Sequence, residues 1–366
     1  MITFLRQFKR YLIAGLLSLG ALQLHVAVAY AGGAEQLVAA DQRLAVSNAE
    51  DLALLNNKQW VIASSMRWGK AEQGALYAIK QATGAIVRLY PNDANRVSTI
   101  AGCNAPVSPE AFAPHGVALQ TLSSGREMLF VVNHGQRESI EVFEVIAGDT
   151  PALEWQGCIL SPPGAMGNAV AVTSDYRVYL SAMVMTQDKS QPASNWMGKV
   201  FEWAVDSGWQ VVPDSDVYAP NGLLVANDGK EIYVNSWAAG EVIKLTRSEQ
   251  GLPLRETLKL DFLPDNLRWG QPQHGSQSRE IVAAGLRSSV ADVVRCTMAS
   301  GTCDKTVATG IASIDADTMA VRCLKNIDLH MGTVALPVAD SLWVGPVRGD
   351  SIWVLADRER QWDQCF

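Results

Sequence analysis

The stretch 221–247, NGLLVANDGKEIYVNSWAAGEVIKLTR, reads as three successive β-strands. Gly222–Ala226 is apolar and rich in strand formers, and Asn227-Asp228-Gly229-Lys230 then carries hairpin chemistry. A second run, Ile232–Trp237 (IYVNSW), alternates aromatic or β-branched residues with small polar ones, and Glu241–Arg247 continues as a third. This unit recurs along the chain. The middle strand has counterparts at Trp60–Ser65, Leu129–His134, Val178–Met183, Ile281–Leu286 and Leu342–Val347. Each is preceded by a strand: Asp51–Leu55, Gly116–Gln120, Ala169–Thr173, Leu267–Gly270 and Thr333–Pro337. Each is followed by another: Ala75–Lys80, Ile140–Val145, Lys199–Val205, Val290–Cys296 and Ser351–Ala356. The period of about 55 residues is a propeller-blade length, and no convincing amphipathic helix interrupts it. The fold expected is therefore all-β, a six-bladed β-propeller occupying residues 32–366 as a single domain, with a metal site in its central channel. A large β-sandwich has no reason to repeat one unit six times.

Composition agrees with this. Among 366 residues, 48% are hydrophobic and only 18% charged, enough for a packed core and too few charges for a solvated helical array. The formal net charge of -7 argues against a nucleic-acid partner. Residues 1–31 read as a signal peptide: Arg6, Lys9 and Arg10 precede an apolar stretch from Tyr11 to Val28, and Ala29-Tyr30-Ala31 fits a cleavage site. The alternative for this segment is a retained anchor; no later stretch is long and apolar enough to span a membrane. Its removal takes away three basic and no acidic residues, moving the net charge from -7 to about -10. The expected location is secreted or periplasmic, and the expected state a monomer.

All six cysteines, Cys103, Cys158, Cys296, Cys303, Cys323 and Cys365, follow that segment, and an even count in an exported chain suggests disulfides. Cys296 and Cys303 flank Thr-Met-Ala-Ser-Gly-Thr, which reads as a hairpin loop and favours that bridge. Cys103–Cys158 and Cys323–Cys365 are the weaker completion, and the sequence leaves the pairing open.

In a propeller, the first strand of each blade lines the channel, so its opening residues ring one mouth. They are Glu50, His115, Asn168, Asn221, Asp265-Asn266 and, in blade six, Met331-Gly332. Carboxylates from two blades with Asn amide oxygens between them form a hard-oxygen set that suits Ca2+, which takes six to eight such ligands in flexible geometry. Histidine is scarce, five in all. His115 heads the inner strand of blade two and His134 ends the next, so antiparallel pairing can bring them together as a proton-transfer pair. His330, just before the inner strand of blade six, is a candidate contact for substrate or a metal-bound water. Trp68 and Trp237 are candidates for an apolar wall against substrate.

These segments together resemble the paraoxonase/arylesterase family, within the wider group of six-bladed propeller lactonases that includes gluconolactonases. The matching motifs are Ser47-Asn48-Ala49-Glu50-Asp51-Leu52, Pro114-His115-Gly116, Leu129–His134 running on to Ile140-Glu141-Val142-Phe143, Asn168-Ala169-Val170-Ala171-Val172, Asn221-Gly222 before Asp228-Gly229-Lys230, Asp265-Asn266, and Gly332-Thr333-Val334-Ala335. The resemblance implies a calcium-dependent hydrolase of lactones or aryl esters. It implies one catalytic Ca2+ on Glu50, Asn168, Asn221, Asp265 and Asn266, and a second, structural Ca2+ at Asp51. It gives His115 the role of general base and His134 that of its proton-shuttling partner, with Asn168 also able to donate to the oxyanion. Two acids of the family pattern are replaced here, by Ala169 and Met183, and the family's N-terminal cysteine is missing, which leaves Cys365 to Cys323. Two other readings compete with the hydrolase: a non-enzymatic propeller that keeps calcium for stability and binds a ligand or protein, and a strictosidine-synthase-like propeller.

Overall fold

The computed structural model describes residues 42–67, 73–92, 100, 102–184, 196–249, 251–270, 279–298, 303 and 306–356. All of these belong to the unit Leu37–Phe366. The proposed signal segment, Trp68 and Cys365 lie outside them.

Six antiparallel sheets form a ring of blades. From the channel outward, blade one holds Ala49–Leu54, Trp60–Ser65, Ala75–Lys80 and Ile86–Tyr90, and blade two Pro114–Thr121, Glu127–Asn133, Ser139–Ile146 and Ala152–Leu160. Blade three runs from Ala165–Val172 to Gly208–Val211, blade four from Pro220–Val225 to Leu254–Lys259, and blade five from Leu263–Trp269 to Val321–Ile327. Blade six is built from both ends of the described chain. Gly332–Val338, Ser341–Pro346 and Ile352–Ala356 supply three strands, and Gln42–Leu44 pairs with the last of these in register Gln42 to Val354. That pairing fastens the ring, so closure needs no extra element. Among the described residues no helix is long and apolar enough to cross a membrane.

Five blades are four-stranded, one strand more than the sequence unit of three, and blade three adds a fifth, Val217–Tyr218, on Met197–Ala204. Some outer strands escape the pattern because they face solvent, although that of blade two, Ala152–Leu160, is mostly buried. In Leu254–Lys259 (LRETLK) every residue is exposed or half-buried. A second difference concerns blade five. The stretch expected as its third strand, Val290–Cys296, is an α-helix, Val290–Met298 (α1), and the third strand is Ala308–Asp315. β-Branched residues suggest a strand here, but the spacing of Val290, Val293, Val294 and Thr297 is helical. Ser289 caps the first turn: its Oγ accepts from Asp292 N (3.1 Å) and donates to Asp292 Oδ2 (3.0 Å).

The core lies between blades. Leu129, Val131 and Phe143 of blade two pack on Ile62, Leu76 and Tyr90 of blade one, and comparable clusters fill the other junctions. Burying each such side chain stabilises the fold by about 1.5–3 kcal/mol. Disulfides Cys103–Cys158 and Cys296–Cys303 are both present, and Cys323 is also disulfide-bonded.

Candidate metal centre at the mouth of the channel

Every inner strand breaks its pairing at the same place. The register shifts between Ala49 and Asp51, Pro114 and Val117, Gly167 and Val170, Pro220 and Leu223, Pro264 and Leu267, and Gly332 and Val334. A bulge leaves residues unpaired and re-aims their side chains. The polar residues inside these bulges are Glu50, His115, Asn168, Asn221, Asp265 with Asn266, and Thr333. Five blades thus present the polar residues singled out from sequence. Blade six presents Thr333 rather than Met331-Gly332, and Met331 is buried in an apolar cluster. Small residues let neighbouring bulges approach. A Cβ on Gly116 would lie 2.5 Å from Asn168 O, and one on Gly222 2.3 Å from Asp265 O.

Glu50 is fully buried and tied to three blades. Asn266 Nδ2 donates to its Oε1 (2.8 Å) and its backbone O (3.0 Å), and Thr333 Oγ1 donates to the same backbone O (2.9 Å). His115 Nε2 stands 3.5 Å from Oε1. Burial alone would raise the Glu50 carboxyl, but His115 and the Asn266 amide more than reverse that and hold it below its ordinary value. Asp265 goes the other way: burial, then repulsion from Glu50, raises it well above the usual carboxylate range. Two buried acids pushed apart in this way are what a shared cation relieves.

The unmatched oxygens point the same way. Glu50 Oε2, Asn168 Oδ1, Asn221 Oδ1 and Asn266 Oδ1 are buried without a hydrogen-bond partner. Leaving each such acceptor unmatched costs about 1–3 kcal/mol. These four unmatched oxygens from blades one, three, four and five, one of them from the Glu50 carboxylate, lie with the Asp265 carboxylate and fit a hard cation of flexible coordination. Among the described residues no group of three His, Cys, Asp or Glu side chains forms a metal cluster. The donor set here is mostly amide oxygen.

Beside this set runs a chain of side chains. His115 Nδ1 lies 2.8 Å from His134 Nε2, and His134 Nδ1 lies 2.9 Å from Glu138 Oε2. A carboxylate only accepts, so His134 Nδ1 carries hydrogen, and a neutral His134 accepts at Nε2 from His115 Nδ1. The other nitrogen of His115, Nε2, lies against the Glu50 carboxylate, which favours its protonated form; only in the neutral ring is Nε2 a base. Burial disfavours the His115 imidazolium, yet Glu50 overrides this and its pKa is raised. The turn bearing His134 and Glu138 is held by Asn133: its Oδ1 accepts from Ala113 N (3.0 Å) and its Nδ2 donates to Gly135 O (2.9 Å) and Arg137 O (3.0 Å). Glu138 was not singled out from sequence. It falls in a turn outside the strand repeat, and only its spacing of four from His134 hints at it.

Asp51, the residue after Glu50, is paired with Arg268. Burial pushes its carboxyl up to about 6 against the pull of that guanidinium. His330 is half-buried; its Nδ1 accepts from Val307 N (3.0 Å), and burial, then Arg348, lowers its pKa. Trp237 follows the second strand of blade four and packs with Leu286, Val293 of α1, Cys296 and Met331, an apolar cluster at the mouth end of blades four to six. Its Nε1 has no partner.

No family model and no curated protein matches the chain. Solved structures do. One is a provisionally named gluconolactonase, 16% identical over 89% of this chain and 92% of its own, with a TM-score of 0.51. Another is a luciferin-regenerating enzyme, 11% identical over 88% of this chain and 94% of its own, with a TM-score of 0.53. At these identities the likeness is one of fold. The narrower resemblance to paraoxonases rests on the motifs alone.

Proposed function

We propose that the protein is a calcium-dependent hydrolase of lactones or aryl esters. The observation that carries this reading is the set of four buried, unpartnered oxygens from Glu50, Asn168, Asn221 and Asn266, beside a histidine whose Nε2 stands 3.5 Å from Glu50 Oε1 and whose Nδ1 is linked to His134. Glu50, Asn168, Asn221, Asp265 and Asn266 would hold Ca2+, whose chemistry here is to polarise the carbonyl and stabilise the oxyanion.

The remaining work falls to side chains. His115 Nε2 takes a proton from water as the water oxygen adds to the carbonyl carbon. The imidazolium so formed is stabilised through Nδ1–H by His134, and His134 in turn by Glu138. When the C–O bond to the leaving oxygen breaks, the same proton passes to that oxygen. Asn168 Nδ2 can donate to the oxyanion. The apolar cluster around Trp237 suits the hydrocarbon part of a small ester. The two disulfides support a secreted or periplasmic setting.

The test is hydrolysis of a lactone panel and phenyl acetate by wild type and His115→Gln. Calcium-supported turnover that collapses in the variant is expected. Turnover unaffected by loss of His115 overturns the mechanism.

A further inference from the structure

A second calcium at Asp51 does not fit the residues around it. Asp51 is 1% exposed and accepts from the backbone N–H groups of Leu52 (2.9 Å) and Val117 (2.8 Å). Its Oδ1 is paired with the Arg268 guanidinium. That guanidinium also donates to Leu52 O (2.6 Å), Leu267 O (2.7 Å) and Val117 O (3.2 Å). Four oxygens from blades one, two and five therefore already enclose one positive charge. Ala169, the buried neighbour of Asn168, adds no carboxylate. A divalent ion would need the same oxygens and would meet a guanidinium that does not deprotonate.

We infer that Arg268 is a built-in cation that fills the second metal seat, so that the chain binds one Ca2+ per molecule and not two. The count of one rests on the reading of the mouth as a calcium site; the role of Arg268 does not. An arginine fits this place because four of its five N–H groups find acceptors there in fixed geometry. It ties three inner strands together in any calcium concentration.

The experiment counts bound calcium by elemental analysis after chelation, reloading and dialysis, on wild type, Ala169→Asp and the double variant Arg268→Ser/Ala169→Asp. One ion is expected in wild type and in Ala169→Asp, and two in the double variant, whose melting temperature should then gain a second calcium-dependent rise. Two ions in wild type, or in Ala169→Asp with Arg268 in place, overturn the inference. A folded double variant that gains no ion over wild type also overturns it. No ion in wild type with one in the double variant refutes the mouth site and leaves Arg268 in its role. Should the double variant fail to fold, the two chains that keep Arg268 decide the matter by the same counts.

Discussion

Nδ1 of His115 lies 2.8 Å from Nε2 of His134, across two strands of one blade, with Glu138 closing the chain at the far end. This order of donors and acceptors makes Glu138 a positioning residue. Replacing it with Gln keeps the size but allows the His134 ring to take the other tautomer. Glu138→Gln is expected to lower kcat by about tenfold with little change in KM, and to shift the acid limb of the pH–rate profile, whereas His115→Gln costs about 10²–10⁴. Steady-state rates across pH check both. An unshifted profile in Glu138→Gln contradicts the relay.

Asn133 links packing to that relay. It is fully buried and holds the 133–138 turn through both ends of its amide. Asn133→Ala leaves backbone groups unmatched, and denaturant unfolding is expected to show a loss of about 1–3 kcal/mol. The activity should fall further than that of an equally destabilised core variant such as Leu129→Ala, because the His134 ring loses its mount.

Calcium should act on stability. An ion bound only by the folded chain adds about 2.7 kcal/mol at a hundredfold excess over its Kd. Melting curves with calcium and with chelator are expected to separate for wild type and to converge for Asn221→Ala.

Asp315 offers a pH test far from the mouth. Burial alone would raise its carboxyl, but the Thr318 N–H and the Arg322 guanidinium reverse this and hold it at about 2, below its ordinary 3.8. A lowered carboxyl stabilises the fold above the unfolded value and ceases to do so as pH falls through the folded one. Asp315→Asn should therefore cost about 1–2 kcal/mol at pH 7, with the difference closing between pH 4 and pH 2. Paired unfolding curves over that range check the sign.

The ring was legible in the sequence because inner and middle strands are buried and repeat, as Gly222–Ala226 and Ile232–Trp237 do. Their phase also located Glu50, His115, Asn168, Asn221 and Asp265-Asn266, since each sits where an inner strand bulges. What escaped lacks that periodicity. The outer strand Leu254–Lys259 faces solvent, and Gln42–Leu44 finds its partner at the other end of the chain. Helix α1 hides behind β-branched residues. Arg268 reaches across the channel to Asp51, a separation of 217 residues that no local pattern reports. Thr333 took the place expected of Met331-Gly332 because the bulge, not the first strand residue, faces the mouth.

The most direct measurement is the rate of lactone and phenyl acetate hydrolysis on one preparation, before chelation, after it, and after calcium is restored. The account predicts turnover that is lost with the ion and regained with it. Absence of hydrolysis in every calcium condition, or hydrolysis untouched by chelation, would contradict it.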